Sequence, residues 1–86
     1  MKLNKNFVVH KSGKETLLVP LGGAKFSGIV KGNNTTGKVL EMLNENTTEQ
    51  KIVASLRSEF EAPEGVIEKD VKNILSQLRK IGALDE

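Results

Sequence analysis

The chain has 86 residues, no cysteine, one histidine and a formal net charge of +2. That length suits one small domain with a thin stability margin, expected to span residues 1–86. The composition excludes disulfides and thiolate catalysis and argues against a structural zinc site. Charge is unevenly spread: residues 1–40 carry seven lysines against one acid, Glu15, whereas residues 41–86 carry six basic residues and ten acids. The first half is therefore a candidate surface for acidic partners, although lysines also keep exposed sheets soluble and guard their edges. The apolar run near the N-terminus, Phe7-Val-Val9, is too short for a signal peptide or a membrane span, so a cytoplasmic protein with no membrane partner is expected.

Along the chain, Phe7–Lys11 and Glu15–Pro20 read as two strands around a short loop, Ser12-Gly-Lys14. Pro20 closes the second, because proline cannot continue a central ladder. Leu21–Gly28 reads as a connector, and Gly28–Lys31 as a brief third strand with one open edge. Asn33 is a candidate N-cap for a first helix over Asn34–Leu43 that buries Val39, Leu40 and Leu43. Gly37 weakens that helix by about 1 kcal/mol relative to alanine unless close packing needs the missing side chain. Thr47-Thr-Glu-Gln50 reads as a capping box opening a second helix to about Phe60, with Ile52, Val53, Leu56 and Phe60 inward. After the turn Ala62–Gly65, a third helix begins between Pro63 and Ile67. Its apolar residues Ile67, Val71, Ile74, Leu75, Leu78 and Ile81 share one face, and Gly82 supplies the stop. Strands segregated from helices predict an α+β fold: a winged helix-turn-helix variant with its sheet at the N-terminus.

No catalytic set emerges, so an enzyme is not expected, and neither is a cofactor. His10 sits in a strand beside Lys11; Ser27, Ser55 and Ser76 lack the nucleophile-elbow context and a partner base; Gly22-Gly23 and Gly28 lack the rest of a phosphate loop. A winged-helix DNA-binding regulator is the alternative that the architecture admits. The third helix opposes it, because its start carries Glu64, Glu68 and Asp70 where base and phosphate contacts need donors and positive charge. Aromatic stacking platforms for single strands are also missing, so no nucleic acid is expected as a partner.

The remaining opportunity is the open strand, which could accept an extended peptide as an added strand. Phe26, Ile29 and Val30 could supply apolar contacts on one side, with Asp70, Val71, Asn73 and Ile74 as the facing wall. Core packing explains Val71 and Ile74 equally well. An open edge also admits a homodimer by edge pairing.

Leu18-Val-Pro-Leu-Gly-Gly23, Gly28-Ile-Val-Lys-Gly-Asn33, Val39-Leu-Glu-Met-Leu43, Thr48–Val53, Asp70-Val71 and Leu78–Leu84, taken in order, resemble the pyrroloquinoline quinone biosynthesis protein D family. The likeness runs from about Asn4 to Leu84. It implies three strands and three helices, and a peptide chaperone of natural-product biosynthesis. Such a chaperone is a recognition element for the leader of a ribosomally made precursor peptide, presented to a modifying enzyme, typically a radical S-adenosylmethionine enzyme. It implies a leader lying antiparallel along the third strand, with the strand role on Ser27, Gly28, Ile29, Val30 and Lys31 and the helix-wall role on Asp70, Val71, Asn73 and Ile74. The sequence departs from the family pattern at Leu21-Gly-Gly23 after Pro20, and at Gly37, where alanine is usual. These departures point to a peptide other than the quinone precursor.

Overall fold

The computed structural model describes residues 1–13, 15–24, 28 and 30–86. Among the described residues five strands and three helices follow in the order β1 (Lys2–Leu3), β2 (Phe7–Ser12), β3 (Glu15–Pro20), β4 (Val30–Gly32), α1 (Asn34–Met42), α2 (Glu49–Glu59), α3 (Val66–Lys80) and β5 (Leu84–Asp85). The expected α+β architecture is present, with the three-stranded antiparallel sheet β2-β3-β4 ahead of the three helices. No helix among the described residues is long and apolar enough to cross a membrane.

Alternation along β2 and β3 sorts the sheet's two faces. Val9 pairs with Leu18 and Lys11 with Thr16; this face turns toward the helices, where Leu18 is 1% and Thr16 5% exposed. Val8 pairs with Val19 and His10 with Leu17 on the outer face. The inner face packs on a core of Val39 and Leu40 from α1 and its C-cap Leu43, Ile52 and Leu56 from α2, and Val71, Leu75 and Leu78 from α3. Each helix thus buries the stripe that its period sets out. Ile74 and Ile81, on the edge of the α3 stripe, are only half-buried.

The helix ends explain the boundaries. Asn33 caps α1 as expected, accepting from the Thr36 amide at 3.0 Å. The capping box expected at Thr47 and Gln50 is not formed. Thr48 is the N-cap instead, accepting from the Lys51 amide at 3.2 Å, and Lys51 has no acceptor with which to reciprocate. Thr47 is held elsewhere: its amide donates to the Met1 carbonyl at 2.9 Å, and the Met1 ammonium donates to the Thr47 carbonyl at 2.7 Å. α3 starts at Val66 after Gly65, inside the expected range.

Gly82 ends α3 with φ +75, and two bonds close the turn: the Gly82 amide to Arg79 at 3.1 Å and the Ala83 amide to Leu78 at 2.8 Å. This is the six-to-one and five-to-two pairing that satisfies orphan carbonyls at a helix end. It delivers Ala83, fully buried, to accept the Asn4 amide at 2.7 Å, and so aligns Leu84 with Leu3 and Asp85 with Lys2. The sequence pattern missed β1 and β5, since two-residue strands carry no period to detect. Gly82→Ala has open space for its Cβ, so its cost is conformational, about 1–2 kcal/mol. Thermal melting is expected to show that loss together with faster amide exchange at Asn4, and an unchanged melt would remove this account of the stop.

Candidate peptide-binding groove

A concave site lies between α3 and the sheet's inner face. It is lined by Leu18 of β3, Thr36 and Leu40 of α1, and Ile74, Gln77, Leu78, Lys80 and Ile81 of α3, and encloses about 260 Å³. The lining follows from helical spacing. Thr36 and Leu40 are four apart, and Ile74, Gln77, Leu78 and Ile81 fall at i, i+3, i+4 and i+7. The lining is chiefly aliphatic, with Thr36, Gln77 and Lys80 as its polar residues.

β4 borders this groove. Val30 pairs with Leu18, Lys31 with Leu17 and Gly32 with Thr16. Among the described residues β4 pairs with β3 alone, so its other edge is open. Strand alternation places exposed Lys31 on the outer face, in line with Leu17 and His10, away from the groove.

The residues expected to form the site are distributed unevenly. The third strand is Val30–Gly32, shifted from the expected Gly28–Lys31. Gly28 is exposed in a bend with φ +128. Phe26, Ser27 and Ile29 lie outside the described residues. Val71 is fully buried in the core and presents no surface to a ligand, a correction to its place on the groove wall. Ile74 lines the groove. Asp70 and Asn73 are exposed on α3, within one turn before Ile74. Gln77, Lys80 and Ile81 of the lining were not among the expected residues, although the stripe that Gln77 and Ile81 share with Ile74 is readable in the sequence.

Among the described residues no group of three or more His, Cys, Asp and Glu side chains could hold a metal ion. The start of α3 is unsuited to DNA: Glu68 accepts from Arg57 Nε at 2.8 Å, so the nearby guanidinium is engaged by a carboxylate.

The sequence model for coenzyme PQQ synthesis protein D (PqqD) matches residues 15–84. The chain belongs to the PqqD family. No curated protein sequence matches. Two solved structures are similar to this PqqD family member. TbiB1, solved in complex with the TbiA(beta) leader peptide, superposes with a TM-score of 0.81 at 19% identity, covering 99% of this chain and 95% of that one. Lasso peptide synthetase B1, complexed with the leader peptide, superposes with a TM-score of 0.75 at 17% identity, covering 95% of this chain and 93% of that one. At such identity the likeness establishes a shared fold. The DNA-binding alternative finds no support in either comparison.

Proposed function

We propose that this PqqD family member is a peptide chaperone, a single recognition domain without catalytic activity of its own. It captures the leader of a ribosomally synthesised precursor by adding the leader as a strand to the open edge of β4, with side chains seated in the α3 groove. It then presents the precursor to a modifying enzyme in the cytoplasm, of the radical S-adenosylmethionine class. The observation that carries this reading is the pairing of an unpartnered strand edge with an aliphatic groove, in a fold whose similar solved structures hold leader peptides.

The physics suits transient capture. Main-chain bonds to a strand edge contribute about 0.5–1.5 kcal/mol each, and apolar burial adds about 25 cal/mol per Å². Ordering a flexible peptide offsets much of this, which leaves affinities on the micromolar scale. Such a chaperone can release its cargo. The lysine-rich first half would speed encounter with an acidic leader. The same β4 edge could pair two copies into a homodimer, which peptide binding would then dissociate.

Amide chemical-shift mapping with a leader encoded beside this gene tests the reading. Shifts are expected at Val30–Gly32 and along Ile74–Ile81, where main-chain and groove contacts form. Shifts confined to the α2–α3 face around Val53 and Lys72 would refute the groove assignment.

A further inference from the structure

The groove has a direction, with Lys80 in its lining and exposed Asp70 on α3 four residues before Ile74. β3 runs from Thr16, opposite Gly32, through Leu18, opposite Val30, to Pro20. The C-terminal end of α3 lies at the Pro20 end, because Ile81 and Gly82 share a small cavity with Phe7, Pro20's partner across the ladder, and with Gly23 and Ala24. α3 therefore runs antiparallel to β4, and a strand added antiparallel to β4 runs parallel to α3. Its N-terminal residues meet the Asp70 end and its C-terminal residues the Lys80 end.

Lys80 lines the groove, and Asp70 is exposed one turn before Ile74 on the same stripe. Neither takes part in an ion pair among the described residues, where Lys11 and Lys38 are held by Glu41 and Glu59, and Arg79 by Glu86. Lys80 lies ten helical steps after Asp70, about 15 Å at 1.5 Å per residue. Four steps of extended chain cover about 13 Å, and residues at i, i+2 and i+4 face the same side.

We propose that the groove reads the order of charge along its peptide. Resting on the strand-addition reading above, the favoured segment carries a basic residue at i beside Asp70, an aliphatic residue at i+2 over Ile74 and Leu78, and an acidic residue at i+4 beside Lys80. The reversed order sets like charges together at both ends. Because both pairs are solvent-exposed, the preference is modest, about threefold to tenfold at low ionic strength. It shrinks as salt screens the charges.

Fluorescence anisotropy with three labelled synthetic peptides tests this. All share one threonine-rich background and a central leucine, flanked at i and i+4 by Lys and Glu, by Glu and Lys, or by Gln and Gln. The Lys-first peptide is expected to bind best and the Glu-first peptide worst. A double variant, Asp70→Lys with Lys80→Glu, is expected to invert that ranking. Equal binding of all three, or a Glu-first preference in the natural protein, overturns the charge order yet leaves the groove reading standing. Failure of all three to bind overturns both.

Discussion

Ile74→Glu is expected to weaken leader binding at least tenfold while the protein still folds. Ile74 is the one residue of the expected helix wall that lines the groove, and it is only half-buried. Its loss therefore removes little core packing, whereas Val71 at the same helix's centre is fully buried. Glutamate is also a good helix former, so α3 itself tolerates the change. A carboxylate placed on an aliphatic floor must be desolvated when a peptide side chain covers it. A tenfold loss corresponds to about 1.4 kcal/mol, well within that penalty. Calorimetric titration with the leader provides the measurement, and far-UV circular dichroism checks the fold. Lys72→Ala, on the face toward α2, is the control that should leave affinity unchanged. Binding that survives Ile74→Glu but fails in the control would move the site to the α2–α3 face.

Gly37→Ala is expected to destabilise the protein by up to about 2 kcal/mol, and the sign is expected to reverse once Thr16 is alanine. A Cβ on Gly37 would lie 2.5 Å from Thr16 Oγ1. Thr16 is 5% exposed in the central strand, and its β-branched side chain has few rotamers to which it can retreat. Overpacking of this kind costs about 1–3 kcal/mol, partly offset by the roughly 1 kcal/mol that alanine gains over glycine in a helix. In a Thr16→Ala background the nearest remaining Thr16-site atom, Cβ, lies at 3.4 Å, an ordinary contact. The propensity gain then prevails and Gly37→Ala should raise stability. At about 4–8 °C per kcal/mol for a domain this size, both signs are resolvable in a melting cycle of four proteins. A Gly37→Ala variant that melts higher with Thr16 intact would show that α1 is not pressed against β3.

These two positions illustrate how unevenly the sequence discloses the molecule. The α3 stripe and its Gly82 stop were legible because a long amphipathic helix repeats its signal several times. The hairpin β2–β3 was legible for the same reason at a period of two. The third strand was found but displaced, because three residues beside a glycine carry too little pattern to set a register. The cap fell on Thr48 and not on the expected Thr47, whose backbone is bonded to Met1 from 46 residues away. Gly37 looked like a weakness in a helix until Thr16 was placed beside it.

The sequence alone determined the α+β class, the order of strands and helices, the stripes that build the core and the likeness to the PqqD family. Each of these depends on neighbours along the chain, where spacing and residue type carry the information. Only the tertiary structure decided which residues meet. It paired β1 with β5 across the length of the chain, committed Val71 to the core, and left Ile74, Gln77, Lys80 and Ile81 facing a groove beside an open strand edge. A helical period tells which residues share a face, but the angle at which that face meets a sheet decides whether its margin is buried or exposed. That angle is set by long-range packing, and the candidate site lies on that margin.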